Sequence, residues 1–375
     1  MTGHREVPGK RTAGAVLLTM LLLSTVPVPS SGSRPRCDRP VFGDTVPVDV
    51  ELPHDLSTGR DIGVAVVDTG VSAPGVVADR PGDRDSCLLH GTAVAGTLRT
   101  VAPASRIVSV RQGDGDHDTT VADLVTALDR ARTTAADHGV RIVNISVIAC
   151  DDTAELRASV AAAEDAGLLL IAAAGNTGQC QDGQVPYPAA LPEVLTVGGI
   201  DARHTDDLNA GRRPADYSVP GGWVDLYAPG GPVSAVLEST GDLQNRTIVG
   251  DPAPFSGTSF AAPVVAGAAA LVWQVRPEFT AAQVRSLLIA TADQGVVPVV
   301  SPVRAVGAAM DAGTDAGTDA DASGPEGRQA TRYEVPAEVS VSRPVSPARD
   351  LRIPLLLAGA VVIALLTGVI LRFRR

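Results

Sequence analysis

Lysine is all but missing from these 375 residues: Lys10 is the only one, and the rest of the 31 basic residues are arginine. Against 42 acidic residues this leaves a formal net charge of −11, with no basic field to hold phosphates, which argues against nucleic-acid binding. Aromatic residues are almost as scarce, at 3%, while apolar residues reach 45%. A core built from this chain is therefore aliphatic, and general disorder is excluded.

Charge is absent from two stretches. Residues 1–12 carry His4, Arg5, Lys10 and Arg11, and the apolar run Ala13–Val26 follows, then Pro and Ser, which reads as a secretory signal peptide over 1–33. Ile353–Leu371 is uncharged over 19 residues, enough to cross a hydrocarbon core of roughly 30 Å as a helix; a core helix is the alternative. Arg343, Arg349 and Arg352 before it match Arg372, Arg374 and Arg375 after it, so the charge balance does not set the orientation. The signal peptide does. It places the intervening chain outside the cytoplasm, anchored in the cell membrane by a single span with a cytoplasmic tail over 372–375. Cysteine is scarce too. Cys37, Cys87, Cys150 and Cys180 contain no CxxC pair, and in an exported chain two disulfides are the default. Their spacing permits three connectivities, with a zinc site as the alternative.

The segment DAGTDAGTDADASGPEG, residues 311–327, has nothing to bury, and residues 305–352 read as a flexible tether. A folded domain over 61–304 remains, preceded by an extension over 34–60. Within the domain, Ile62–Val67, Arg106–Arg111, Val140–Val147, Leu168–Ala173 and Val194–Val197 read as strands. A helix is expected from about Thr120 to His138, with Thr120 and Asp123 in capping-box positions and Gly139 as its stop. Another is expected from about Thr153 to Ala166, opened by Asp152 and closed by Gly167. The alternation predicts an α/β fold: a parallel sheet with helices on both faces, and chemistry at the carboxyl ends of the strands.

Three residues stand where such chemistry collects. Asp68 ends the buried run IGVAVV, His90 opens HGTAVAG, and Ser259 lies in GTSFAAPVVAGAAALVW, at the start of an apolar helix with Pro263 expected in its first turn. Singly, each has a structural explanation: a turn-capping aspartate, a core histidine, an N-cap serine. Together they supply a nucleophile, a base and a carboxylate to orient the base, with a helix N-terminus to favour negative charge. Asp, His, Ser is also the chain order of subtilisin.

VAVVDTGV, HGTAVAG and GTSFAAPVVAG resemble the three signature segments of the subtilisin-like serine proteases, over about residues 60–292. The resemblance implies a subtilisin-like fold in which Asp68 orients, His90 acts as base and acid, and Ser259 attacks. It also implies that Asn176, in AAAGN, donates to the oxyanion beside the Ser259 N–H. Ser146, Val147 and Ile148 fall on the substrate-binding strand, where the family has a short glycine-containing wall; bulk replaces glycine here, implying a narrower or reshaped pocket.

VNISVIAC, Cys180 four residues after Asn176, Cys87 three before His90, the extension with Cys37 and the C-terminal apolar span together resemble the mycosins, membrane-anchored subtilisin-like proteases associated with type VII secretion. By that resemblance the disulfides are Cys37–Cys87 and Cys150–Cys180. The implied function is an endopeptidase that processes exported proteins beside a type VII secretion membrane complex. The alternatives are a structural stabiliser of that complex with dispensable catalysis, or a free-standing degradative protease. About thirty residues before the first strand are too few for an independently folded inhibitor, so a wrapped extension is expected. No cofactor is implied. Gly113–Asp118 is acidic but fails the EF-hand pattern at Thr119 and Val125, so a solvated loop is expected, with calcium as the alternative.

Overall fold

A computed structural model describes residues 48, 50–80, 83, 89–112, 120–181, 183–200, 212–233, 235–236, 243–244 and 254–312. The expected signal peptide, Cys37, Cys87, the acidic run 113–118, the tether beyond 312 and the span 353–371 lie outside the described residues.

Seven strands form one parallel sheet in the order β2-β3-β1-β4-β5-β6-β7: β1 Gly63–Asp68, β2 Val77–Ala78, β3 Arg106–Arg111, β4 Val140–Ile145, β5 Leu169–Ala173, β6 Leu195–Ile200 and β7 Leu226–Pro229. A small antiparallel pair, β8 Ala235–Val236 and β9 Leu243–Gln244, stands apart from it. The strands of the sheet's centre are buried on both faces, as their unbroken apolar runs require. Along β1, Val64 and Val66 enter one core while Ala65 and Val67 enter the other. Helices α1 His90–Val101, α5 Thr258–Val275, α6 Ala281–Ala290 and α7 Pro302–Asp311 supply residues to the first core. Helices α2 Val121–Thr133 and α4 Ala154–Asp165 cover the second.

Helix α5 is the axis of the first core. It is long and apolar enough to cross a bilayer, yet it is buried from Thr258 to Trp273, which identifies it as a core helix. Its side chains are mostly alanine and valine, and their small volume lets α1 and the sheet pack closely against it. Residues 57–60 are bonded to its far end. Ser57 Oγ donates to the Leu271 carbonyl at 2.8 Å, and the Thr58 and Arg60 N–H groups donate to Gln274 Oε1 at 2.9 and 2.7 Å.

Local expectations shift in several places. The helix expected over 120–138 breaks at Thr134, giving α2 and a single further turn, α3 Ala135–His138; the Thr120–Asp123 capping box and the left-handed Gly139 are both present. Thr153, not Asp152, caps α4 by accepting from the Leu156 N–H at 3.2 Å, while Asp152 pairs with Arg157. Strand β4 ends at Ile145, two residues before its expected end. Pro263 is the sixth residue of α5, beyond the first turn. Helix α7 continues to Asp311 and buries Ala305, Val306 and Ala309, so the first seven residues assigned to the tether belong to the domain.

Candidate active site

Strand β1 lies between β3 and β4, and the chain leaves β1 toward β3 but leaves β4 toward β5. The connections therefore diverge between the carboxyl ends of β1 and β4, the position where doubly wound sheets open a crevice. Asp68 is the last residue of β1, and Ser146 is the first beyond β4.

Asp68 is wholly buried, and its carboxylate is held by two donors. The Thr69 N–H donates to Oδ1 at 2.7 Å, and His90 Nδ1 lies 2.8 Å from Oδ1 and 3.1 Å from Oδ2. A carboxylate only accepts, so Nδ1 carries the proton and Nε2 presents a lone pair. His90 opens α1 behind Leu89, a leucine in the left-handed region at φ 57°, a conformation costing about 1–2 kcal/mol. The next residue is Gly91, where a Cβ would strike the Gly70 carbonyl and approach Asp68 Oδ1 to 3.0 Å, so only glycine lets α1 start this close to Asp68. Burial opposes the charged imidazolium, but the Asp68 carboxylate and its hydrogen bond outweigh burial and raise the His90 pKa above its ordinary 6.5.

Ser259 is the second residue of α5, and the ring of the next residue, Phe260, lies 5.1 Å from the His90 ring. Two reciprocal bonds tie Ser259 to the end of β4: Ser259 Oγ donates to the Ser146 carbonyl at 3.0 Å, and Ser146 Oγ donates to the Ser259 carbonyl at 2.7 Å. Pro263 explains the second. Lacking an N–H, it leaves the Ser259 carbonyl without its helical donor, and Ser146 supplies one from outside the helix. Ser146 Oγ in turn accepts from Asn144 Nδ2 at 2.9 Å. The Ser259 backbone is thus fixed to the sheet through two buried side chains.

Asn176 lies against the same helix end. Its Oδ1 accepts from the Thr258 N–H at 3.0 Å and from Thr258 Oγ1 at 3.2 Å, and a Cβ on Gly257 would come within 3.0 Å of its Nδ2. With Oδ1 occupied, the Nδ2 protons face no acceptor among the described residues. Asn176 is held from behind as well, its N–H donating to Gln179 Oε1 at 2.6 Å. Cys180 follows and forms the disulfide with Cys150 (Cα–Cα 5.5 Å), joining the Asn176 loop to the segment beyond β4. In that segment Val147 and Ile148 are half-buried, and Ala149 exchanges two 2.8 Å backbone bonds with Tyr187.

Asp68, His90, Ser259, Asn176 and Ser146 therefore converge at the ends of β1, β4 and β5, while Cys37 and Cys87 lie outside the described residues. Thr258 and Gln179 are not singled out by the sequence; Asn144 stands two residues before Ser146 in VNISVIAC, but nothing in the sequence assigns any of the three a partner.

Comparison with known proteins gives a consistent result. Residues 59–324 match the subtilase family, peptidase S8. Mycosin-4 of Mycobacterium tuberculosis is 35% identical over 286 residues, covering 65% of this chain and 62% of that protein. Mycosin-1 of the same organism is 33% identical over 302 residues, covering 64% of this chain and 65% of its own length. The chain thus spans a little under two thirds of these curated relatives. The solved structure of MycP3 protease from the type VII (ESX-3) secretion system superposes with a TM-score of 0.59 at 29% identity, covering 71% of this chain and 90% of that one.

Proposed function

The chain belongs to the subtilase family, and we propose that it is a membrane-anchored, extracytoplasmic serine endopeptidase that cleaves exported proteins through Asp68, His90 and Ser259. The observation that carries this reading is the two-oxygen grip of Asp68 on His90 Nδ1, beside a helix whose first turn holds Ser259. In the reaction the Ser259 hydroxyl turns from the Ser146 carbonyl to His90 Nε2 and gives up its proton as Oγ attacks the scissile carbonyl. Asp68 holds the tautomer and stabilises the imidazolium that forms. Charge developing on the carbonyl oxygen meets Asn176 Nδ2, the Ser259 N–H and the α5 N-terminus, donors placed before the reaction begins. His90 then protonates the leaving amine, and water releases the acyl group by the same route.

Val147 and Ile148 form the wall of a pocket narrower than a glycine-lined one, and they suit a restricted set of substrates over broad digestion. The likeness to mycosins and to the MycP3 protease of a type VII secretion system supports a place beside such a membrane complex. The direct test is purification of full-length Ser259→Ala protein from native membranes in mild detergent, followed by mass spectrometry. Recovery of multi-span membrane proteins and an ATPase, with a trapped exported protein, is expected. Recovery of the protease alone, with other membrane complexes intact, would leave a free-standing anchored protease.

A further inference from the structure

Arg130, on α2, is 11% exposed and binds three groups from other parts of the chain. Its Nε donates to Asp79 Oδ2 at 2.7 Å, its Nη2 also reaches Asp83, and its Nη1 donates to the Arg111 carbonyl at 3.1 Å, at the last residue of β3. Asp83 is buried, and burial pushes its carboxyl pKa up against the pull of Arg130. The Asp83 carbonyl accepts from Ser109 Oγ at 2.7 Å and from the Val71 N–H at 3.2 Å, and the same Val71 N–H lies 3.0 Å from Ser109 Oγ. Val71 is three residues beyond Asp68. Asp83 is seven residues before His90. Ser109, fully buried on β3, thus joins the turn that leaves Asp68 to Asp83, and Arg130 ties Asp83 to the end of β3.

We propose that Arg130, Asp83 and Ser109 form a brace that sets the Asp68 carboxylate against His90 Nδ1, with Ser109 as the positioning residue at its centre. None of the three touches the reacting atoms. The inference rests on the protease reading above, but the geometry it invokes is local and measurable without turnover. Asp68 is the charged group paired with His90; Phe260 faces the ring from α5, and behind the turn Asp79 and Asp83 share Arg130, with Arg80 3.9 Å from Asp79.

Ser109→Ala removes one hydroxyl and leaves every ion pair in place, so the domain is expected to fold. Ser159→Ala is the matched control: its buried hydroxyl, bonded to Asp129 at 2.9 Å, links α4 to α2 away from the crevice. In the full-length detergent-solubilised protein, NMR titration of selectively labelled histidine, assigned with His90→Gln, reads the His90 pKa directly. Ser109→Ala is expected to lower that pKa, as the carboxylate loosens, and to lower kcat about tenfold at nearly constant KM. Arg130→Lys, which keeps the charge but loses the fork, is expected to move both in the same sense. Ser159→Ala is expected to lower the melting temperature while leaving the His90 pKa and kcat unchanged. An unchanged His90 pKa and kcat in Ser109→Ala would overturn the brace. A wild-type protein with a raised His90 pKa but no hydrolysis would overturn the protease reading instead.

Discussion

The two halves of the crevice are held by different forces. On the β4–β5 side, Ser259, Ser146, Asn144, Asn176 and Thr258 are fixed by neutral hydrogen bonds at the buried N-terminus of α5. On the β1 side, Asp68 and His90 are a charge pair, and the turn behind them is tied to the ion pairs of Arg130 with Asp79 and Asp83. The neutral half has no proton to lose near neutral pH, so it stays assembled while the other half titrates. In the proposed mechanism this division keeps the oxyanion site built in advance while the base is switched by pH.

Removing one member from each half separates what the two contribute. His90→Ala takes away the base and is expected to lower turnover on the order of 10⁵–10⁶-fold, read as kcat on a peptide substrate. Asn176→Ala removes only a donor, so the expected loss is about 10²–10³-fold in kcat with the domain still folded. Equal turnover in Asn176→Ala and wild type would remove Asn176 from the oxyanion site. The Cys150–Cys180 bridge belongs to the neutral half and spans a sequence separation of 30. Replacing both cysteines by serine should cost roughly 3–4 kcal/mol in denaturant unfolding, through the chain entropy it restores to the unfolded state. A stability loss below about 1 kcal/mol would show that the loop is held by its other contacts.

The smallest effect is the most diagnostic of the charged half. Because Asp68 raises the His90 pKa, free base appears only as pH climbs past a value above 6.5, and kcat/KM should rise there. Stability runs the other way. A histidine with a raised folded-state pKa contributes stability that is complete below its unfolded pKa and lost as pH passes the folded one. Melting temperature should therefore drift down over the window in which activity rises. A kcat/KM limb centred below 6.5 would contradict the grip of Asp68 on His90.

Much of this site was legible because its residues sit in local words with a local cause. Asp68 ends an unbroken apolar strand, His90 and Gly91 open a helix of small residues, and Ser259 lies in the first turn of an alanine-rich core helix. The α/β sheet was equally legible, since continuous β-branched runs alternating with capped helices leave few other arrangements. The residues that bind these words together were not. Ser109 and Arg130 lie 26 and 47 positions from Asp83, and no periodicity announces a hydrogen bond across such distances. The displacement of Pro263 from the first turn has the same origin. Its missing donor is replaced by Ser146, 113 residues from Ser259, so a proline that local rules place at the helix start is accommodated deeper within it. Helix α7 escaped because its alanine-rich sequence runs without a break into the acidic repeat, and only its packing against α5 marks where the domain ends.

Activation of Ser259 as a nucleophile by His90 and Asp68, as proposed, is read by treating the full-length protein with a fluorophosphonate, then mapping the modified residue by peptide mass spectrometry. Stoichiometric modification of Ser259, absent in His90→Ala and retained at a reduced rate in Asn176→Ala, is the predicted result. Modification of another serine, or equal modification of Ser259 with and without His90, would contradict the account.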